Sequence, residues 1–297
     1  MELRTLRYFL AVCEAQSMSR AAERLHVTQP TLSRQIAELE RELSCTLLVR
    51  HSRSVEPTEA GLHLMDRAGD IVSLADLTAA EYRQGDQVVA GDVRIACGES
   101  VGMGLVASAI RSFGARHPRV RFRLHSGNAA YVTNRLERGL DDFGVFISYP
   151  LIGHYESLTL PHADSWGIYL PVDDPLAGRE GLTPQDVSRL PLITSEQAVE
   201  TDELSSWFGD LLGDLRIVAT YTLSYNAQLL VRAGVGYMLG IAGMVPTGTG
   251  SSLAFVPLLP AVSARIDFCW RRDHALSNAA RLFLDDMRAC CGRDATS

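Results

Sequence analysis

The chain contains no lysine; all 28 of its basic residues are arginine. Guanidinium groups grip phosphate in two-point fashion, which is one reading of that bias. A genome whose base composition favours arginine codons is the other, and it accounts better for a bias that also covers the acidic part of the chain. Also missing is any apolar run long enough to cross a bilayer, or a basic-then-apolar leader, so neither membrane insertion nor export is expected. The six cysteines, at 13, 45, 97, 269, 290 and 291, fall into no metal-ligand spacing, so no metal or cofactor is expected and a reducing cytoplasm is the expected home. Cys13 reads as core and Cys290-Cys291 as the end of a helix, while Cys97 carries the alternative reading of a thiol sensor.

What is present is a chain of 297 residues with 46% hydrophobic and 21% charged residues, enough for two or three globular domains. Its net charge of −7 is unevenly placed. Residues 1–58 hold eight arginines and seven acids, a net of +1; the remainder holds 20 arginines and 28 acids, a net of −8. Residues 28–37 and 50–55 contain no acid at all. A phosphate senses charge within about a Debye length, so these local stretches outweigh the overall sign.

The first of these stretches belongs to a pair of short helices joined by a tight turn. Ser19 is a candidate cap for the first helix, with Ala21, Ala22 and Leu25 as its buried face and His26-Val27 as the turn. Thr28 is positioned to cap the second helix, and Pro30 falls in the first turn, where its missing N–H costs nothing. Leu32, Ile36, Leu39 and Leu43 then form one apolar stripe. Gln29, Ser33 and Arg34, with Thr31 and Ala37 beside them, point elsewhere and can reach base edges and phosphates in a major groove. A preceding helix offers Leu6, Phe9, Leu10 and Cys13 to the same core. Downstream, Leu47–Val55 reads as a short hairpin with Arg50 and Arg53 near its tip, after which Thr58 can cap the next helix.

These motifs resemble, in order, the winged helix-turn-helix of the LysR-type transcriptional regulators. The matching segments are Met1-Glu-Leu-Arg-Thr-Leu-Arg-Tyr-Phe-Leu10, Ser19-Arg-Ala-Ala-Glu-Arg-Leu25, Thr28-Gln-Pro-Thr-Leu-Ser-Arg34 and Pro57-Thr-Glu-Ala-Gly61. The likeness runs the length of the chain but is much looser after about residue 90. Ser44 and Leu48 stand where the family usually has Gly and Phe. Either Ser44 takes a left-handed turn at some cost, or the helix ends differently.

From Thr58 to about Gln84 the chain reads as one long helix. Met65, Ala68, Val72, Ala75, Ala79 and Tyr82 recur as a heptad seam, and Leu64, Ile71 and Leu74 add a second apolar edge, together suggesting a dimerisation helix. Gln84–Asp92 reads as a hinge. Beyond it, short apolar strands alternate with helices, which argues an α/β architecture with mainly parallel strands. The expected division is 1–58 for DNA binding, 59–90 for the linker helix and hinge, and 91–297 for effector binding.

The resemblance implies that this last region is a periplasmic-binding-protein-like fold of two lobes, 91–162 plus 267–292 and 163–266, with a small effector between them. Mapped on this chain, the loop Gly98–Gly102 is expected to open a helix at Ser100, whose hydroxyl and backbone N–H groups would suit an anion. Ser100, Asn128 and Thr194 are the first candidates for effector contacts, followed by Glu99, Ser195 and Asn226. Gln29, Pro30, Thr31 and Ser33 are expected at base edges and nearby sugars, Arg34 at bases or phosphate, and Arg50 and Arg53 at phosphates. The implied partners are double-stranded DNA, a small effector for which an anion is one reading, further copies of the chain as a dimer or dimer of dimers, and RNA polymerase.

Four other readings fit the sequence less well. Gly98-Glu-Ser-Val-Gly102 spells the G-x-S-x-G of a hydrolase nucleophile elbow, but no earlier strand exists to supply an oxyanion loop, and Asp273 and His274 are adjacent rather than on separate loops. Gly234-Val-Gly-Tyr-Met-Leu-Gly240 has its third glycine one place late for a dinucleotide loop, and close strand packing explains it better. A transported-solute binder or a pure protein–protein adaptor leaves the helix-turn-helix without a purpose.

Overall fold

The structure is a computed structural model describing residues 1–51, 54–83, 89–149 and 155–294. It divides into two compact units, 1–85 and 86–297.

The first unit contains α1 (Leu3–Ala15), α2 (Met18–Arg24), α3 (Gln29–Glu42), the antiparallel strands β1 (Leu48–Arg50) and β2 (Val55–Pro57), and α4 (Glu59–Arg83). Leu32, Ile36 and Leu39 are buried with Phe9, Val12, Ala21 and Ala22 in one core. Leu43, the last member of the expected stripe, is instead exposed at the helix end. Thr28 caps α3 by accepting the Thr31 N–H, and Pro30 lies in its first turn. Ser17, not Ser19, caps α2: its hydroxyl accepts from the Arg20 N–H, so the helix begins two residues earlier than the motif suggests.

The substitution at position 44 is resolved by the first of its two readings. Ser44 is left-handed, with φ of 53°. Its N–H donates to the Arg41 carbonyl (3.2 Å) and the Cys45 N–H to that of Glu40 (3.1 Å), the paired bonds of a Schellman ending with serine in the glycine position. The Glu40 side chain then ties the hairpin to α3, its Oε1 accepting the N–H groups of Leu47 (2.8 Å) and Leu48 (3.1 Å). Thr58 caps α4 by accepting the Gly61 N–H. Gly61 is required there because an added Cβ would stand 2.1 Å from the Leu47 carbonyl oxygen.

Helix α4 lies on α1 and is tied to it by an Arg7–Asp76 ion pair. Ala68 is fully buried and Leu64 packs against the winged core, so part of the expected seam is used within the chain itself. Leu62, Met65, Ile71 and Leu74 remain exposed. The side chain of Tyr82 and most of the expected hinge lie outside the described residues, as does Arg53 at the hairpin tip.

The second unit holds β3 (Ala90–Cys97), α5 (Met103–Arg116), β4 (Arg119–Ser126), α6 (Ala129–Glu137), β5 (Phe143–Ile147), β6 (Tyr155–Pro171), α7 (Pro184–Val187), β7 (Leu192–Ser195), α8 (Asp202–Phe208), β8 (Ile217–Tyr221), α9 (Ser224–Arg232), β9 (Tyr237–Ile241), β10 (Leu253–Pro257), β11 (Ser263–Arg271) and α10 (Asn278–Asp294). Its described strands form one sheet in the order β4-β3-β5-β11-β6-β9-β7-β8, with β10 also on β6. The outer pairs β3–β4, β3–β5, β7–β8 and β7–β9 are parallel, but every pairing made by β6 and β11 is antiparallel. The sheet is therefore mixed rather than mainly parallel.

β6 and β11 pass through both halves. β6 pairs with β11 at both ends of a register break between Arg265 and Asp267, then continues between β9 and β10. On one side of that break an aromatic core joins Phe113, Phe143, Phe268 and Phe283; on the other, Ile168, Leu170, Leu204, Leu239 and Val256 share a separate core. These are two lobes on two shared strands, with the lobe limits expected from sequence falling inside β6 and β11 rather than in loops. The register break carries the buried Asp267, which accepts from Thr159 Oγ1 (2.7 Å) and Arg265 Nε (2.8 Å).

Relieving the left-handed serine by Ser44→Gly should raise the unfolding free energy of the first unit by about 1 kcal/mol. Chemical denaturation checks this, and a decrease would show that the serine is not strained. Glu40→Ala leaves two N–H groups without their acceptor and should cost about 1.5–3 kcal/mol in the same measurement; an unchanged midpoint would mean that water replaces the carboxylate without loss.

Candidate nucleic-acid interface and effector cleft

Helix α3 faces outward with a small set of polar groups. Gln29, Pro30, Thr31 and Arg34 are exposed and Ser33 is half-buried. Thr31 Oγ1 shares a 2.8 Å hydrogen bond with Thr28 Oγ1, which fixes both hydroxyls at the helix start. The acid-free ridge is not free of acid contact, because Arg34 Nε donates to Glu38 Oε1 (3.0 Å) one turn on. Glu38 also accepts from Gln35 Nε2 (2.9 Å) and lies 3.8 Å from Arg41. Arg34 is still mostly in solvent, and an exposed pair of this kind is weak enough to yield to a phosphate. Gln29 has no acid within its own turn. Arg50 ends β1, at the base of the hairpin tip.

In the second unit a cleft enclosing about 570 Å³, part of it open to solvent, lies at the C-terminal ends of the parallel strands β3, β4, β7, β8 and β9. That is where loops diverge and ligands settle in open α/β sheets. Glu99, Gly127 and Asn128 line it from the first lobe; Ser195, Gln197, Thr201, Thr222 and Ser224 line it from the second. Ile147, Trp166, Ile241 and Met244 give it an apolar floor.

Three of the six effector candidates thus meet at the cleft: Glu99, Asn128 and Ser195. Asn128 doubles as the cap of α6, accepting from the Tyr131 N–H (3.0 Å). The other three do not line it. Ser100 is buried, and its hydroxyl accepts the Gly102 N–H (2.9 Å) in a local turn; α5 starts at Met103, so no helix opens at Ser100. Thr194 is only 1% exposed, within β7, and is not part of the lining. Asn226 is exposed on α9, which starts at Ser224, so the lining position belongs to Ser224.

Among the described residues, two hydrogen bonds cross the cleft, and no sequence motif marks either. The Ser224 N–H at the start of α9 donates to Glu99 Oε2 (2.7 Å) from the opposite lobe. Reciprocally, the Ala129 N–H at the start of α6 donates to Gln197 Oε1 (2.9 Å). Gln197 carries no motif; a better placed helix start at Thr222-Leu-Ser224 was the one available signal for Ser224. Burial raises the Tyr221 hydroxyl pKa, and neighbouring Tyr169 and the Glu99 carboxylate add to the rise.

The rival readings fare poorly at these positions. His274 packs over Gly139, at the end of α6, and Asp273 pairs with Arg271. Gly236 is a close-packing glycine, an added Cβ standing 2.4 Å from the Pro191 carbonyl oxygen. Cys97 is buried, and burial, partly offset by Ser126, pushes its thiol pKa up, the opposite of what a reactive sensor needs. No helix among the described residues is long and apolar enough to cross a membrane.

Comparison with known proteins agrees over the whole chain. Residues 3–62 match the family described as "Bacterial regulatory helix-turn-helix protein, lysR family", and residues 86–291 match "LysR substrate binding domain". Among curated relatives, the uncharacterized HTH-type transcriptional regulator YnfL of Escherichia coli is 29% identical, covering 95% of this chain and 96% of its own length. The Hca operon transcriptional activator HcaR of the same organism is also 29% identical, over 92% of each. Among solved structures, full-length CbnR complexed with its target DNA shares the fold at a TM-score of 0.71 and 24% identity, covering 98% of this chain and all of that one. The polar ridge on a capped α3, the hairpin clamped behind it and the two-lobed cleft are the parts such a regulator needs, and with both family matches they show that the chain belongs to the LysR-type transcriptional regulators, which join a helix-turn-helix DNA-binding domain to an effector-binding domain and are not enzymes.

Proposed function

We propose that this regulator reads its operator with Gln29, Pro30, Thr31 and Ser33 against base edges and sugars, with Arg34 able to serve either bases or phosphate. Arg50 and Arg53 of the hairpin hold phosphates. The observation that carries this reading is the fixed orientation of α3: three buried residues and a side-chain cap leave these polar groups facing out together. The protein works in the cytoplasm, where its DNA is.

The effector occupies the cleft between the lobes, and its differential affinity for open and closed lobes biases the DNA-binding assembly. Glu99, Asn128, Ser195, Gln197 and Ser224 are the contacts supported by their place in the lining. Paired recognition helices read half-sites about one helical turn apart, or a multiple of it, so the working unit is at least a homodimer. Its contact is the outer edge of α4, where Leu62, Ile71 and Leu74 are exposed while Ala68 is already buried within the chain. Pairing of such dimers into a tetramer, and contact with RNA polymerase, complete the proposed assembly.

Gln29→Ala should cost about 1–3 kcal/mol at the cognate site and little on random duplex. Equal loss on both, read by fluorescence anisotropy, would remove Gln29 from base recognition. Arg53→Ala should weaken every duplex about equally and lower the slope of log K against log salt by about one; a loss confined to one sequence would contradict its role as a phosphate contact. Replacing Ile71 and Leu74 together by Asp should halve the mass seen in sedimentation, whereas an unaltered mass would place the dimer contact elsewhere.

A further inference from the structure

Two of the helix N-termini at the cleft are closed by an acceptor from the opposite lobe, α9 by Glu99 and α6 by Gln197. A helix N-terminus attracts anions through its unpaired N–H groups and dipole. In α9 that attraction is already met by a full carboxylate of the protein's own. The lining holds no arginine or histidine among the described residues, and the chain has no lysine, so an incoming anion finds no counter-charge there. It would also meet the negative charge of Glu99. A second observation points to what the cleft wants instead. The Trp166 indole N–H has no partner among the described residues, although the side chain is only 5% exposed and lines the same cleft. A buried donor left unpaired is costly, and a ligand acceptor would relieve it.

We infer that Glu99 is the residue that sets the charge class of the effector: the cleft takes a neutral ligand with an apolar body and a polar head of the primary-amide kind, and excludes carboxylates. Such a head offers a hydrogen-bond acceptor to Trp166 and a donor to the carboxylate of Glu99, and the floor of Ile147, Ile241 and Met244 receives the body. The inference rests on the cleft being the effector site. It gives Glu99 a positioning role as well, because the same carboxylate holds the two lobes together until a ligand competes for it.

The test uses the full-length protein with methyl-labelled methionine and two isosteric probes, benzamide and benzoate. The Met244 methyl signal, assigned through Met244→Leu, reports occupancy of the cleft. In the unsubstituted protein, benzamide should shift this signal saturably while benzoate leaves it in place. Glu99→Ala vacates the α9 N-terminus and should improve benzoate affinity about tenfold or more. Glu99→Gln keeps the cap without the charge and should gain less; it carries the test should the alanine variant fail to fold. Benzoate binding equally well with and without Glu99 would overturn the charge role while leaving the cleft as the effector site. If neither probe moves Met244 in any of the three proteins, the cleft reading fails and the role of Glu99 fails with it.

Discussion

Leu32, Ile36 and Leu39 bury completely beneath α3, and each such burial is worth about 1.5–3 kcal/mol. Rotating the helix would expose all three, so the outward bearing of Gln29, Thr31 and Arg34 is set by the core and not by anything on the surface. The same helix holds the hairpin through Glu40, whose single carboxylate oxygen accepts two consecutive backbone N–H groups. The recognition helix and the start of the hairpin are thus tied together by one side chain. A DNA-reading surface built this way has little conformational freedom to lose on binding, which favours affinity.

In the other unit the sharing is of strands. β6 and β11 each serve both lobes, and their only interruption is the register break between Arg265 and Asp267. Bending is easiest where ladder pairing is broken, so any change in lobe angle would be accommodated there most readily. The cleft it would close is spanned by two reciprocal hydrogen bonds, one from each lobe. A ligand competing for these bonds would act on the lobe angle directly, the differential interaction that a conformational switch requires.

Much of this was readable from the residues because the information is local. A cap three residues before the N–H it receives, a stripe at helical spacing, and a proline in a first turn are all visible within a dozen positions. Thr28, Pro30 and Leu32 follow from that, as does the hairpin. The misplacements are equally local: Ser17 and Ser19 are both good caps, and only the packed helix start decides between them. The first half of β6, Tyr155–Ser165, contains Pro161 and few apolar residues, so it carries little strand signal of its own and is held by pairing with β11. Of the cleft, Glu99, Asn128 and Ser195 could be found from strand ends, while Gln197 could not. Its role depends on a helix start 68 residues away, and nothing in its own neighbourhood announces that.

Everything described depends on the polar face of α3 recognising particular base sequences. Selection of fragments from the protein's own genome against excess random duplex, at physiological salt, measures this most directly. The account predicts recovery of a discrete site bound about 10³-fold or more tighter than the competitor. Retention of all fragments in proportion to their length would contradict it, leaving a surface that merely attracts phosphate.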